Sequence, residues 1–486
     1  MPVPVEIPAG YWTREASHTP LPWRPFSRAY ADTRNAALRR MASELGLLFD
    51  GVELQQIGGW EYMRIVPLGG KQPPRLPDWL VPLAFRLVPA ARRRIREAVA
   101  AMRSDAPARL VQRWSREWQP DFDARIRRLR ESRPSAMSDT ALGAHLDSVV
   151  KLAADGVDVH FRLHGALAVV VGEFAFTCRD LLGWDETRML SLLCGTSITS
   201  TRPARALTDL AALAGPPVRA LLTRGAPVDE VLGADEEFAA AFDAYVREYG
   251  CRALTYEIAD PPLEERPELV LGLVRDQLDG GLDARADETL ARQREAVANE
   301  AREILGGADL LRFERVLERA LAAYPVREDN EFFTVSAPLG LLRRTALELG
   351  NRLADRGQIT AAEDIFFVHV DEARTVLADG TDARHIVARH KGEHGWVVAH
   401  PGPASYGRDP GPPPPMRGLP DEARLANEAF LWAVDRILAP DAHGGSRDSM
   451  LTGTPLRRAA TPARYGSSAP RPSSTGSTAA TFSCAR

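Results

Sequence analysis

From residue 89 to about 305 the chain carries one nearly unbroken helical pattern, and that pattern leaves little room for anything but a helical fold. Apolar residues recur at intervals of three and four through 91–102, 108–129 and 139–182, the spacing that places them on one face of a helix. Within this run, residues 238–278 read as helix, charged loop, helix. Phe238, Phe242, Tyr245 and Tyr249 fall at helical spacing, and Gly250 follows as an expected left-handed helix stop. Pro267 and Glu268 open a second helix that runs to Gly280 and Gly281. Between the two lie Arg252, Tyr256, Glu257 and Asp260, closed by Pro261 and Pro262. An ionisable loop held between two packed helices is a natural place for a substrate. Further helices are expected over 283–305, 309–323, 338–356 (stopped by Gly357) and 421–438, with a capping box at Thr360 to Glu363.

The N-terminal part differs. Residues 1–35 are rich in proline and aromatics, which excludes a continuous helix and favours an extended segment laid over something else; His18 lies in it, as a loop histidine or a site residue. Residues 48–68 alternate weakly and are broken by Gly58–Gly59, so a short hairpin is expected, with Arg64 on a strand. The expected fold class is therefore mainly α: a multi-helix substrate domain, a small β-hairpin element near the N-terminus and a disordered C-terminal tail.

Composition narrows the function classes. The chain has 486 residues and a net charge of −4, which points to neither nucleic acid nor membrane. The basic runs 92–96 and 125–130 lie on helices without interleaved aromatics and read as solvated faces. Cys178, Cys194, Cys251 and Cys484 are far apart with no CxxC pair, and the N-terminus lacks a signal-peptide pattern, so a cytoplasmic location is expected. Lysine occurs only at Lys71, Lys151 and Lys391, while arginine supplies the rest of the 61 basic residues, which suggests a G+C-rich coding sequence. After residue 440 large apolar residues almost vanish. Residues 441–486 read as a low-complexity tail, either disordered or, the reading we favour, translated from a shifted frame.

Two histidine pairs and one glycine pair invite functional readings. His160 and His164 share a helical face and line an internal polar pocket or sit hydrogen-bonded in the core; a third metal ligand at known spacing is absent. His390-Lys391-Gly392-Glu393-His394 matches HxxEH, but Gly392 and Gly395 weaken the helix that motif needs, so a fraying helix end is expected and no metal is assigned. Gly69-Gly70-Lys71 lacks phosphate-loop spacing and reads as a turn.

Several segments together resemble phosphoenolpyruvate-utilising enzymes, in particular the substrate-binding domain of rifampicin phosphotransferases and pyruvate-water dikinase-like proteins. They are HTPLPWRPF, YMRIVPLGG, YGCRALTYEIADPP with ERPELV, YPVREDNEFF and LELGNRLADRGQITAAEDIFFV, in order across about residues 10–440. The resemblance implies an ATP-grasp domain that phosphorylates a histidine on a swivelling domain, and a helical domain that holds the small-molecule acceptor. It implies that the loop around Arg252 and Glu257 and the turn at Arg327-Glu328 form the acceptor and phosphate site. On this reading no ATP-grasp domain is expected before residue 10, and the printed sequence shows no phosphocarrier motif. The expectation is thus an acceptor-binding portion, inactive alone, whose ATP and magnesium enter only through a partner or a missing domain, such as a separate ATP-grasp or phosphohistidine-carrier protein. In the drug-modifying relatives a lysine follows the Arg-Glu turn where Glu331 stands here, which argues against the same antibiotic. On this scheme residues 1–88 form the N-terminal segment and β element, 89–400 the acceptor-binding domain and 401–420 a proline-rich linker; 421–440 is a helix leading to the missing swivelling domain.

Phosphoryl transfer needs positioning and positive charge more than covalent chemistry. Arg252 and Arg327 suit phosphate or carboxylate. Glu257, Glu328 or one of His18, His160 and His164 could serve as base, and Arg64 and Asp260 complete the candidate binding residues. The same charges could instead tie helix ends together. The alternative function is a non-catalytic helical small-molecule-binding protein, and a metal-dependent hydrolase using His390 and His394 ranks last.

Overall fold

A single helix of 44 residues, Asp139–Leu182, forms the axis of the fold. The structure, a computed structural model, describes residues 5–70, 76–196, 198–253, 255–280 and 286–438; Lys71 and the tail 441–486 lie outside the described residues. Ser138 caps the helix by accepting from the Ala141 N–H, and Gly183 ends it at φ +65°. The second half of this helix is apolar almost all round, from Leu163 to Cys178, so it needs partners on every side. They are Arg34–Glu44, Ala106–Arg113, Gly307–Ala323, Ala337–Asp355 and Asp421–Ala433. Small residues set how closely these approach. A Cβ at Gly156 would lie 2.2 Å from the Thr334 carbonyl oxygen, and one at Gly172 2.4 Å from that of Ala429.

The aromatic stripe of the 238–278 stretch has a separate core. Phe238, Phe242 and Tyr245 on Glu236–Tyr249 pack with Leu210, Val218, Val231, Val270 and Val274. Gly250 is not left-handed (φ −70°), contrary to the expectation from sequence. Its lack of a Cβ instead admits the returning chain: Glu264 donates its N–H to the Gly250 carbonyl at 2.9 Å, and a Cβ there would lie 2.8 Å from the Glu264 Cβ. The loop 251–262 is thereby closed at its base, with Leu263 N–H on the Arg252 carbonyl at 3.0 Å.

The expected hairpin forms as β2 (Gly51–Ile57) and β3 (Trp60–Val66), turning at Gly58–Gly59 with φ +59° and +86°. The sheet is larger than the hairpin. β1 (Trp12–Arg14) from the proline-rich segment pairs antiparallel with β3, and β4 (Ser405–Tyr406) pairs with β1, in the order β2-β3-β1-β4. Trp12, Ile57, Trp60 and Tyr62 bury their side chains against Val397.

Other local expectations shift. The helical pattern over 108–129 is interrupted by a π turn, Trp114–Trp118, and another π turn, Phe332–Ser336, joins Val326–Glu331 directly to Ala337–Asp355. The cap at Thr360 is built by Asp364 rather than Glu363: the Asp364 carboxylate accepts from the Thr360 and Ala361 N–H groups. The HxxEH segment lies in an intact helix, Arg384–Ala399, and not at a fraying end. No helix of the described residues is long and apolar enough to cross a membrane.

Candidate functional site

Three segments distant in sequence meet beside the first half of the long helix: the proline-rich segment, the loop 251–262 and the turn at 324–336. The proline-rich segment is pinned at both ends. Buried Glu61 on β3 accepts from Thr19 Oγ1 (2.8 Å), Trp23 Nε1 (3.0 Å) and Arg34 Nη1 (2.9 Å). Glu257 accepts from the Arg24 N–H (2.9 Å), the Ser27 hydroxyl and its own loop's Ala259 N–H (3.0 Å). Tyr30 adds a hydrogen bond from its hydroxyl to the Tyr256 carbonyl. Glu257, a candidate base from sequence, thus serves as the tie between segment and loop, and burial raises its pKa. Asp260 accepts from Thr255 Oγ1 (2.7 Å) and lies 4.0 Å from Arg24.

His18 is carried by this segment to face Tyr256, with ring centroids 5.8 Å apart. Its Nδ1 is 3.1 Å from Glu15 Oε1. Burial opposes ionisation of Glu15, but hydrogen bonds from His18 and Ser17 outweigh it and hold the carboxyl at about 2. The hydrogen bond to Glu15 in turn raises the His18 pKa. His160 and His164 sit side by side on the long helix, their ring centroids 4.1 Å apart and their planes tilted by 58°, and His160 Nδ1 meets Thr334 Oγ1 at 3.3 Å. Burial lowers His160 to about 3 and His164 well below its ordinary value, with His18 adding repulsion to both, so both rings are neutral at pH 7.

Arg252 lies between two aromatic rings, 5.4 Å from the Tyr249 centroid and 4.9 Å from that of Phe332. Its Nη1 is buried without a hydrogen-bond partner among the described residues. Arg327 donates its backbone N–H to the Tyr324 carbonyl at 3.2 Å, and its charge reaches Tyr324, His164, Tyr256 and Glu331. Arg64 is elsewhere: it pairs with Glu53 (2.7 Å) and the Ala9 carbonyl and covers Trp12, so it belongs to the sheet.

Glu331, which in sequence stands out only as a departure from the drug-modifying relatives, is a strongly perturbed acid of the site. Burial and neighbouring Glu328 push its pKa to about 7, against the opposing charges of His18, Arg327 and Arg252. It lines a cleft of about 160 Å³ together with Cys251, Thr255, Tyr256, Ser336 and Arg343. Arg327 and Glu328 are its neighbours in sequence, but the burial that dominates its shift and the charges of His18 and Arg252 are brought to Glu331 by the fold. The titration has a sign. An acid whose pKa rises from 4.5 to about 7 on folding holds its proton longer in the folded state, so stability falls as pH rises through that window. Glu331→Gln, which mimics the protonated acid, is expected to be more stable than the wild type by up to about 3 kcal/mol at pH 8 and equal to it below about pH 4.5. Urea denaturation across pH checks this; parallel profiles for the two proteins would contradict it.

Chemically the arrangement offers two guanidinium groups and His18 as positive charge, two neutral imidazoles as hydrogen-bonding groups, and one carboxyl poised near neutrality. That is a set suited to holding an anionic or hydroxylated ligand and moving a proton from it.

Known proteins resemble this part of the chain. Residues 164–328 match the family model described as the rifampicin phosphotransferase fourth domain, a span that includes His164, the loop 251–262 and Arg327–Glu328. The chain is also 26% identical over 465 aligned residues to chondramide synthase cmdD of Chondromyces crocatus, covering 88% of this chain. It spans only 11% of that protein's length. The likeness over residues 164–328 is to one domain of a phosphoenolpyruvate-utilising phosphotransferase family and covers about a third of this chain.

Proposed function

We propose that this chain is the acceptor-binding portion of a phosphotransferase of that family. A phosphohistidine charged from ATP and magnesium, on another domain or a separate carrier protein, delivers its phosphoryl group to a small-molecule acceptor held between the loop 251–262 and the turn 324–336. The observation that carries this reading is Arg252: a guanidinium fixed between Tyr249 and Phe332 that keeps a buried, unpartnered Nη1. A buried donor without an acceptor is costly, by about 1–3 kcal/mol, and an incoming oxyanion removes that cost. Arg327 supplies a second positive charge. The proton of an acceptor hydroxyl passes to Glu328, since burial disfavours the protonated forms of His160 and His164, Glu257 already accepts from three donors and the hydrogen bond to Glu15 favours the charged form of His18.

The test combines affinity-selection mass spectrometry of hydroxylated small molecules with transfer from a charged phosphohistidine domain. The expected result is a retained ligand that becomes phosphorylated. Arg252→Ala should lower transfer by about 10–100-fold while changing ligand binding less than about 3-fold, because the guanidinium acts on the phosphoryl group. A ligand that binds wild type and is never phosphorylated favours the alternative, a non-catalytic small-molecule-binding protein. The observation on the side of that alternative is Glu331, whose ionised carboxylate would repel an approaching phosphate.

A further inference from the structure

We propose that His369, Glu372 and His390 form a binding site for a zinc-class divalent cation, remote from the acceptor cleft in its residues and independent of the function proposed above. The cation would clip helix Val370–Asp379 to helix Arg384–Ala399. One ligand atom from each of the three side chains lies within 4.8 Å of the other two, and the two imidazole rings meet edge to face at 5.4 Å. Zinc at about 2.0–2.1 Å from each ligand needs those atoms roughly 3.3 Å apart. Zinc binding requires the three side chains to turn toward one another by that difference.

The surrounding groups orient the ligands as metal sites require. His390 places Nδ1 2.7 Å from the Phe367 carbonyl oxygen, so Nδ1 carries the proton and Nε2 presents its lone pair. Glu372 stands three residues after His369 and accepts that residue's N–H on Oε2 at 2.9 Å, which fixes the carboxylate and leaves Oε1 free to turn inward. A cation is already drawn to the spot. Arg389 Nη2 lies 3.2 Å from His390 Nε2 and 4.0 Å from Glu372 Oε1, so its guanidinium bridges two of the three ligands. The Arg389 side chain is 55% exposed and can swing into water when a metal displaces it. Two imidazoles and one carboxylate favour zinc-class ions over magnesium or calcium, which prefer all-oxygen shells.

The HxxEH pattern singles out His390 but pairs it with the wrong residue. His394, one turn on, places Nε2 3.3 Å from the Pro22 carbonyl oxygen and takes no part in the cluster. The true partners lie at and in the preceding helix, 18 and 21 residues back in sequence, where no local spacing pattern connects them.

Isothermal titration of the tag-free, chelator-stripped full chain with zinc chloride tests the site, with magnesium chloride as comparator. One equivalent of zinc bound at micromolar or tighter affinity, and no magnesium binding at millimolar concentration, is expected. His369→Ala and Glu372→Gln should each weaken zinc at least ~10-fold, while His385→Ala, on the same helix as His390 but outside the cluster, should not. Arg389→Ala should tighten zinc several-fold, because a competing cation is gone; this variant removes no ligand and leaves the helix contacts intact. Cobalt(II) in place of zinc should give the intense visible bands of a four- or five-coordinate site. Zinc weaker than about millimolar, or affinity unchanged in His369→Ala and Arg389→Ala alike, would overturn the proposal.

Discussion

Glu257→Ala is expected to lower the unfolding free energy by about 3–5 kcal/mol and to free the proline-rich segment before the helical body melts. The carboxylate accepts from the Arg24 N–H, the Ser27 hydroxyl and the Ala259 N–H, and those three donors come from both sides of the contact it bridges. Alanine leaves all three without an acceptor in a place from which most water is excluded. Relaxation can recover part of the loss, because Glu257 also borders the cleft and water can enter from there. Glu257→Gln keeps the shape but turns an amide N–H₂ toward one of the donors, so an intermediate loss of about 1–2 kcal/mol is expected. Guanidinium denaturation reads the global effect. Limited proteolysis reads the local one: early cleavage between residues 15 and 33 in the alanine variant marks release of the segment that positions His18. If both variants unfold like the wild type, Glu257 is not the tie described here.

Gly156→Leu is expected to cost about 4 kcal/mol, the largest effect on the long helix. The first added carbon alone would lie 2.2 Å from the Thr334 carbonyl oxygen and 3.1 Å from its carbonyl carbon. Those atoms belong to the π turn Phe332–Ser336, so the obstacle is backbone and not a side-chain tip that can rotate away. The turn also carries Thr334, whose hydroxyl meets His160 and donates to Asn330 Oδ1 at 2.9 Å. Forcing it outward disturbs the histidine pair as well as the packing. Gly143→Ala on the same helix is the contrasting case. A Cβ there meets nothing within 4 Å, so the gain in helix propensity stands alone and about 0.5–1 kcal/mol of added stability is expected. Opposite signs in urea denaturation for two glycine replacements on one helix would separate packing from propensity; equal signs would defeat the account.

Part of the candidate site is legible in the sequence. His160 and His164 announce a shared face through i, i+4 spacing, and their rings do meet at 4.1 Å. Arg252 and Arg327 stand out as arginines at helix boundaries, and their fields meet at Glu331. Arg64 is their equivalent in sequence, but its strand directs it to Glu53 and Trp12. Which arginine acts on Glu331 and which is consumed by a neighbour is set by long-range contacts, and those leave no periodic trace. Glu331 carries no signal in the sequence for the same reason: burial and the charges of His18 and Arg252 reach it only through folding, whereas Glu15 is shifted by its own neighbours Ser17 and His18.

The sequence by itself determined the elements whose forces are local. The helix Asp139–Leu182, the hairpin around Gly58–Gly59 and the aromatic stripe of Glu236–Tyr249 all follow from side-chain period and backbone conformation over neighbouring residues. Only the tertiary structure decided the rest. It joined β1 to a strand near residue 405, gave Gly250 the task of admitting Glu264 rather than reversing the helix, and set His390 beside His369 instead of His394. It also drew the proline-rich segment, the loop 251–262 and the π turn around one carboxyl at position 331. Each of these depends on packing between residues tens to hundreds of positions apart, where burial and charge act through space and the order of the chain carries no signal.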